Sequence, residues 1–204
     1  MNSNPTVFVV DDDPAVRESL TLLLEQADLN VESFDSAEAF LATYRSVPRS
    51  CLVLDIRMPG MDGIQLQGEL SRRGVLLPII FLTSYGDIPL SVRAIRSGAI
   101  DFLTKPITGT SLLESVRAAL LESERLNSQV EANQSAAARV ASLTGREHDV
   151  LLLAIEGLPN KEIARRLGIS HRTVEIHKAR IMHKTEADTL LDLARIAEAS
   201  GLRR

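Results

Sequence analysis

Residues 6–121 alternate short β-branched runs with longer amphipathic stretches, and this alternation limits the possible folds more than any other feature. The short runs have the length and composition of strands. These candidate strands cover residues 6–10, 30–34, 51–54, 79–83 and 101–103. The stretches between them have helical periodicity, most clearly residues 14–27, which begin with a proline suited to a helix start. Strands and helices that alternate in this way form a parallel sheet covered by helices on both faces.

The chain changes character after the last of these units. Residues 122–142 contain no Gly or Pro and are rich in Ala, Glu, Gln, Ser and Asn, which favours a semi-rigid helical linker. Four short helical segments follow, over residues 145–156, 160–167, 170–184 and 188–199. The predicted fold class is therefore α/β, a flavodoxin-like doubly wound (βα)5 domain over residues 1–121, followed by a helical linker over 122–142 and a small all-α four-helix domain over 143–204.

The composition is that of an ordinary globular protein, with 45% hydrophobic and 25% charged residues. Cys51 is the only cysteine, so no intrachain disulfide can form, which fits a reducing compartment. No apolar run approaches the roughly 18 residues of a transmembrane helix, and the N-terminus lacks the pattern of a signal peptide. We therefore expect a cytoplasmic protein with no membrane partner.

Charge is divided unevenly between the two predicted domains. Residues 1–124 carry 10 Lys and Arg against 17 Asp and Glu, whereas residues 125–204 carry 13 against 10. The two parts of the chain are therefore expected to bind different kinds of partner.

Acidic residues cluster at the ends of two predicted strands. A run of three Asp residues, 11–13, follows the first strand, and Asp55 follows the third. Ligands of a doubly wound sheet bind at the carboxyl ends of its strands, so we expect these acids to meet there. Mg²⁺ would relieve their repulsion, because it binds through one or two carboxylates and completes its shell with water and phosphate oxygens. Thr83 and Lys105, after the next two strands, add a hydroxyl and a cation that suit a phosphoryl group.

These residues resemble the receiver domain of bacterial two-component response regulators. The resemblance covers residues 4–122 and rests on Asp11-Asp12, Asp55, Thr83 and Lys105-Pro106. It implies that Asp55 is the nucleophile that accepts a phosphoryl group from the phosphohistidine of a sensor histidine kinase. Thr83 would bind a phosphoryl oxygen, and Lys105 would neutralise the developing charge. The implied ligands of Mg²⁺, or of another divalent cation such as Mn²⁺, are Asp11, Asp12, Asp55 and the backbone carbonyl of Arg57.

The same resemblance implies a conformational switch. Phosphorylation would draw Thr83 inward and Phe102 would follow, so that the surface formed by the fifth strand and the helix before it becomes competent for dimerisation. Residues expected on or near that surface are Val92, Arg93, Arg96 and Ala99. Arg57 and Tyr85 would tune hydrolysis of the phosphoryl group, and the Lys105-Pro106 bond would be cis, which would aim the lysine inward.

Each of these residues has a commoner structural role when it stands alone. An Asp run before a proline usually caps a helix, and we assign Asp13 to that role. Lys105 alone could be a solvated charge, and Phe102 alone could belong to the core. Their joint placement at several strand ends favours the phosphoacceptor site.

Residues 160–184 carry seven Lys and Arg against two Glu, which is an electrostatic footprint for nucleic acid. Residues 160–170 have the pattern of a helix, a turn at Gly168, and an N-cap at Ser170 for a second helix. At 100° per residue, one face of the second helix carries Val174 and Ile181 with His177, for which packing is the commoner role. The opposite face, which suits the major groove of DNA, carries Arg172, Ile176, Ala179, Arg180 and His183.

Residues 143–147, 157–164 and 173–178 resemble the LuxR-type helix-turn-helix, and the two patterns together resemble the FixJ subfamily of response regulators. This implies a phosphorylation-activated transcriptional regulator, expected to be an activator, that forms a homodimer on an inverted repeat in double-stranded promoter DNA. A sensor histidine kinase and RNA polymerase are the other implied partners. The expected DNA-contacting residues are Lys161, Arg172, Thr173, Ile176, Lys178, Ala179, Arg180 and His183. Thr185 stands where the pattern usually has a bulky apolar residue.

Two other functions are compatible with parts of the sequence. An Asp, a divalent metal and a Lys also make a phosphatase or phosphotransferase with an aspartyl-phosphate intermediate. However, Arg57 stands where an Asp-x-Asp motif that begins at Asp55 would place its second acid. The other is a constitutive DNA-binding protein whose receiver is only a dimerisation scaffold, and the intact acidic pair and Lys105 argue against it.

Overall fold

The structure is a computed structural model that describes residues 4–83 and 98–202. Its strands are β1 (Thr6–Val10), β2 (Asn30–Phe34), β3 (Ser50–Asp55), β4 (Ile79–Thr83) and β5 (Asp101–Thr104). They form one parallel sheet in the order β2-β1-β3-β4-β5, as the doubly wound prediction requires. Each strand begins and ends within one residue of its predicted bounds. The helices in the described part of the first domain are α1 (Pro14–Glu25), α2 (Ala37–Thr43), α3 (Gly63–Arg72) and the start of α4 (Gly109–Ala141).

The sheet is buried on both faces, which explains why its central strands are nearly continuous apolar runs. Every residue of β1, β3 and β4 is buried, whereas the edge strand β2 is partly exposed. One face packs around Phe8, Phe40 and Phe81, which we call the phenylalanine cluster. The other face packs α1 and α4 against the sheet through side chains such as Leu24 and Leu112. The two clusters together fix the sheet between its helices.

Helix α4 includes both the last helix of the first domain and the predicted linker. Its 33 residues run from Gly109 to Ala141 without interruption. Within residues 122–127, Ser123 is buried and its hydroxyl accepts a hydrogen bond of 3.1 Å from the backbone N–H of Ser50. The chain divides into two compact units, residues 1–127 and 128–204. The first turns of the predicted linker therefore pack with the first unit.

The second unit contains α5 (Gly145–Ile155), α6 (Asn160–Leu167), α7 (His171–Thr185) and α8 (Leu190–Ala199). Its core consists of small and aliphatic side chains that include Val150, Ile163, Val174, Ile181 and Leu193. Side-chain caps set where three of these helices begin: Thr144 and Thr189 form capping boxes, and Ser170 caps α7. Because Thr189 is the cap, α8 begins two residues later than predicted.

Thr185 fits the core of the second unit in spite of its hydroxyl. The residue is fully buried, and its Oγ1 donates a hydrogen bond of 2.8 Å to the carbonyl of Ile181, one turn earlier. The polar atom is therefore satisfied within its own helix.

No helix in the part of the chain that the structure describes is long and apolar enough to cross a membrane. Tyr85, Val92, Arg93 and Arg96, which the sequence places near the predicted switch, lie outside the described residues. Ala99 lies within them and packs, half-buried, against the phenylalanine cluster.

Candidate functional sites: an acidic pocket and a basic helix face

The carboxyl edge of the sheet brings together two acids and one lysine. Asp11 follows β1 and Asp55 ends β3, and these two strands are neighbours in the sheet. The Nζ atom of Lys105, which follows β5, lies 2.6 Å from Oδ2 of Asp11 and 2.7 Å from Oδ1 of Asp55. Residues distant in sequence therefore form one charged cluster, which we call the acidic pocket.

The acids of this pocket are held in place by backbone N–H groups and shielded from water. Asp11 is fully buried and Asp55 is 5% exposed. Oδ1 of Asp11 accepts from the N–H of Asp13 at 2.9 Å, and Oδ2 of Asp55 accepts from the N–H of Arg57 at 2.8 Å. Burial raises the pKa of Asp55 above its usual range, and the hydrogen bond from Lys105 opposes this rise only in part. With two carboxylates and one ammonium, the pocket carries more negative than positive charge, and a further cation would offset the excess.

Lys105 keeps its charge in this pocket. Partial burial disfavours the ammonium, but its hydrogen bonds to Asp11 and Asp55 outweigh that effect and raise its pKa. Its backbone N–H donates to the carbonyl of Thr83 at 2.7 Å, and the Lys105-Pro106 bond is cis, as expected. Thr83 is itself buried at the end of β4. These contacts place the side chain of Lys105 between the two carboxylates.

The remaining residues predicted for this site take different places. Asp12 is exposed, and Asp13 caps α1 by accepting from the N–H of Ala15 at 2.8 Å, which is the role that we assigned to it. The Arg57 side chain is exposed, while its backbone adjoins Asp55. Phe102 is half-buried in β5 and packs against the phenylalanine cluster.

The donor set of the pocket fits a hard divalent cation. Among the described residues, no group of three or more acidic, His or Cys side chains is assembled around a common point. Mg²⁺ does not require such a group, because it binds proteins through one or two carboxylates and keeps several waters. Buried Asp11 and Asp55, with exposed Asp12 beside them, supply oxygen ligands of the right kind.

Two further residues support the pocket, and sequence reasoning missed both. Gly63 begins α3 against the end of β3, where a Cβ atom would clash with the backbone oxygen of Asp55. The Nη1 atom of Arg17 donates a hydrogen bond of 2.8 Å to the carbonyl of Asp11. The Asp62-Gly63 pair is a turn signal that could have indicated a close backbone approach, whereas nothing local to Arg17 indicates its partner.

The second candidate site is the exposed face of α7. Gly168 ends α6 in the left-handed conformation with φ 65°, and Ser170 then caps α7 through the N–H of Thr173. This is the predicted helix, turn and helix. Five residues of the predicted face are exposed: Arg172, Ile176, Ala179, Arg180 and His183. Val174 and Ile181, on the opposite face, are fully buried.

Three more predicted DNA contacts lie around this face. Lys161 is exposed near the start of α6. Thr173 is half-buried, and its hydroxyl lies 2.8 Å from that of Ser170. Lys178 is half-buried, and its Nζ donates to Oδ1 of Asn160 at 2.8 Å, so it links the two helices of the motif.

An ion pair between a buried carboxylate and a partly exposed lysine anchors the carboxyl end of α7, and sequence reasoning did not identify it. Glu147 is 2% exposed and accepts from Nζ of Lys184 at 2.7 Å. The hydrogen bond from Lys184, followed by that from the N–H of Thr144, lowers the pKa of Glu147 to about 2. Thr144 and Glu147 have the spacing of a capping box, but no sequence rule assigns Lys184 as a third partner.

Comparison with known proteins identifies the family of each part of the chain. Residues 7–117 match the family described as "Response regulator receiver domain", and residues 141–197 match "Bacterial regulatory proteins, luxR family". The chain is 44% identical to the transcriptional regulatory protein FixJ of Azorhizobium caulinodans, over 96% of this chain and 93% of that protein.

Two solved structures extend the likeness to the fold. The response regulator StyR has 47% sequence identity and a TM-score of 0.80, with 96% of this chain and 99% of that chain covered. Full-length FixJ from B. japonicum has 40% identity and a TM-score of 0.60, with both chains covered completely. The chain therefore belongs to the FixJ subfamily of two-component response regulators, which are transcriptional regulators with a receiver domain and a LuxR-type DNA-binding domain and not enzymes.

Proposed function

We propose that Asp55 accepts a phosphoryl group from a sensor histidine kinase and that this modification controls binding of promoter DNA. The observation that carries this proposal is the joint contact of Lys105 with Asp11 and Asp55 at 2.6 and 2.7 Å. A buried carboxylate beside a fixed ammonium, at the end of a central strand, is the arrangement that phosphoryl transfer to an aspartate needs.

In the proposed transfer an Asp55 carboxylate oxygen forms a bond to phosphorus while the bond between phosphorus and the histidine nitrogen breaks. The imidazole leaves as the neutral ring after it takes up a proton. Lys105 balances the negative charge that gathers on the phosphoryl oxygens, and its contacts with two acids hold it ready for this role. The hydroxyl of Thr83 would bind one phosphoryl oxygen.

Asp11, Asp12, Asp55 and the backbone carbonyl of Arg57 would hold Mg²⁺ or Mn²⁺. When bound, the cation would offset negative charge on the carboxylates and on the transferring group. The raised pKa of Asp55 supports this assignment, because burial disfavours its charge and Lys105 compensates only in part.

The exposed face of α7 would contact the major groove, with Lys161 and Lys178 at its margin. Arg172, Thr173, Ile176, Ala179, Arg180 and His183 complete the proposed contact set. Thr83 and Phe102 would transmit phosphorylation to a dimerisation surface, and a homodimer would bind an inverted repeat with the affinity gained from two linked modules. We propose that the chain acts in the cytoplasm as an activator that contacts RNA polymerase.

The boundaries of this architecture are also part of the proposal. We assign residues 1–121 to the receiver and 143–204 to the DNA-binding domain, with residues 122–142 as a helical connection. Ser123, buried against Ser50, and Val140, buried with the second unit, indicate that each end of this connection packs with a neighbouring domain.

The test uses a duplex selected from a random-sequence pool by the full chain in the presence of a small acyl-phosphate donor and Mg²⁺. We expect the donor to raise the affinity of wild type for this duplex by about 100-fold or more, the range that a second linked module provides. Asp55→Ala should bind without any stimulation, and Asp35→Ala, at an exposed acid of the same domain, should respond as wild type.

Equal stimulation of Asp55→Ala would contradict the proposal. Tight binding by wild type and by the variant, with no response of either to the donor, would favour the constitutive DNA-binding protein.

A further inference from the structure

We propose that His177 holds the DNA backbone through Nε2, as a neutral hydrogen-bond donor to a phosphate oxygen. This inference rests on the proposed function of α7 and adds a residue that is absent from the predicted contact set. It assigns a role to a side chain whose simplest interpretation is packing.

The two ring nitrogens of His177 have different surroundings. Nδ1 is buried and has no hydrogen-bond partner in the part of the chain that the structure describes. The residue as a whole is nevertheless partly exposed. Unlike Nδ1, Nε2 is not one of the buried polar atoms that lack a partner in the described residues. No hydrogen bond involves Nε2 among residues 4–83 and 98–202, so it is available to a ligand.

These surroundings select one tautomer of the ring. A proton on Nδ1 would be a buried donor without an acceptor, which is among the costlier states of a polar group. A proton on Nε2 leaves only a bare lone pair at Nδ1 and turns the donor toward the outside. The neutral ring of His177 therefore carries its proton on Nε2, where the N–H faces away from the core.

The position of His177 on α7 places that donor at the margin of the DNA-facing surface. His177 follows Thr173 by four residues and precedes Arg180 by three, so these three residues are neighbours on the helix surface. Thr173 and Arg180 belong to the predicted contact set, while Val174 and Ile181, on the other side of His177, are fully buried. A residue between the buried face and the groove-facing face lies where a recognition helix meets the phosphates at the edge of the groove.

A neutral donor at this point would position the helix without reading sequence. Most hydrogen bonds between proteins and DNA go to the phosphate and sugar, and they fix register and orientation. The contact of His177 should therefore contribute equally on specific and random duplexes. Because the ring carries no charge, its loss should leave the salt dependence of binding unchanged.

The test compares three substitutions in the full chain on a random-sequence duplex of about 30 base pairs at low salt. In His177→Gln the amide nitrogen takes the place of Nε2, whereas in His177→Asn it takes the place of Nδ1. We expect His177→Gln to keep wild-type affinity within about twofold. His177→Asn and His177→Leu should each lose about tenfold, as the loss of one hydrogen bond to a charged acceptor predicts.

Thermal unfolding measured beside binding separates positioning from packing. A packing role predicts that affinity follows stability and that His177→Leu, which fills the site with an apolar side chain, binds best of the three. If His177→Asn does not fold, the DNA affinities of His177→Gln and His177→Leu still distinguish positioning from packing, because only Gln offers a donor at the Nε2 position.

Wild-type affinity in His177→Leu, or equal losses in Gln and Asn, would overturn the role of Nε2 while leaving the proposed function intact. Failure of wild type to bind any duplex would overturn the proposed function, and the inference with it.

Discussion

At the scale of single residues, the acidic pocket depends on one lysine that serves two acids. Asp11 and Asp55 are both buried, and each has its second oxygen bound to a backbone N–H. Lys105 is the cation that the structure places against both. Such groups stabilise each other only while all members are present, because removal of the cation leaves two buried like charges.

Lys105→Met should therefore leave the Asp55 carboxyl intact, but that carboxyl should accept a phosphoryl group only slowly from a phosphodonor. We expect the rate of modification by a small acyl phosphate to fall by about 100-fold, the usual cost of losing one preorganised charge-stabilising group. The initial rate of adduct formation in intact-mass measurements checks this expectation. Arg45→Met, at an exposed cation of the same domain, is the control and should keep the wild-type rate. A wild-type rate in Lys105→Met would show that the lysine takes no part in the transfer.

Glu147 makes the stability of the DNA-binding domain depend on pH. Its folded-state pKa of about 2 is lower than its ordinary value of 4.5. Its contribution is therefore complete above pH 4.5 and is lost as pH falls toward 2. Because Lys184 is partly exposed to solvent, the charge of Glu147 adds at most on the order of 3 kcal/mol to the free energy of unfolding. Hydrogen exchange of peptides from α5 and α7 should show Glu147→Gln less protected than wild type at pH 7, with the difference shrinking by pH 3.

The control for this measurement is Glu198→Gln, at an exposed acid of α8, which should exchange as wild type at every pH. A difference between wild type and Glu147→Gln that stays constant from pH 7 to pH 3 would contradict the role of the Glu147 charge.

At the scale of the helices and strands, α4 belongs to both compact units. Its buried residues include Leu112 and Val116 against the sheet, and Val140 in the core of the second unit. Near its end, Nη1 of Arg139 donates to the carbonyl of Thr185 at 3.2 Å, and Nη2 of Arg139 pairs with Glu186 at 2.8 Å. The last turn of α4 therefore contacts the carboxyl end of α7, where backbone carbonyls lack helical partners.

Val140→Ala should destabilise the DNA-binding domain although the residue precedes the predicted start of that domain. Val140 is 8% exposed, and removing two buried methyl groups costs about 2 kcal/mol. Hydrogen exchange of α5 and α7 peptides should report this loss. Val130→Ala, at a half-buried position of the same helix, should leave that exchange unchanged. If the α5 and α7 peptides exchange at the wild-type rate in both variants, the DNA-binding domain does not depend on Val140 and is self-contained from residue 143.

The sequence predicts helices and strands well where a local signal marks where they begin or end. It predicts them less well where they depend on contacts with residues that are distant in sequence. The strand at residues 6–10 matches its prediction because its apolar run ends abruptly at an acid. The Ser170 cap and the Gly168 turn likewise carry local chemistry that can be recognised without a fold. By contrast, the linker prediction at residue 122 followed composition, and composition does not reveal that Ser123 is buried against Ser50.

The same distinction applies to the candidate sites. Asp11, Asp55 and Lys105 could be predicted because a parallel sheet brings strand ends together, whatever the loops do. The pairing of Lys184 with Glu147 and the donation from Arg17 to Asp11 depend on side chains that meet only after packing. No periodicity or motif encodes contacts of this kind.

At the scale of the whole molecule, the two parts of the chain differ in charge. The receiver part is acidic, with 10 Lys and Arg against 17 Asp and Glu over residues 1–124, whereas residues 125–204 carry 13 against 10. The basic residues include the exposed Arg172 and Arg180 of α7. Attraction to DNA should therefore come from the second part of the chain, while the acidic part is repelled by it.

Arg180→Gln should lower the salt dependence of binding to a random-sequence duplex. If Arg180 neutralises one phosphate, the slope of log affinity against log salt should decrease in magnitude by about one. Fluorescence anisotropy titrations between about 50 and 200 mM salt provide the slope. Arg117→Gln, which removes an exposed cation from the receiver part, should leave it unchanged. Equal changes in the two variants would mean that only net charge matters.

The most direct test of the central claim is the intact mass of the full chain after incubation with a small acyl phosphate, with and without Mg²⁺, beside Asp55→Ala. The account predicts a single phosphoryl adduct on wild type that depends on Mg²⁺ and is absent from the variant. The same adduct on Asp55→Ala, or no adduct on wild type even with its sensor kinase and Mg²⁺ present, would contradict it.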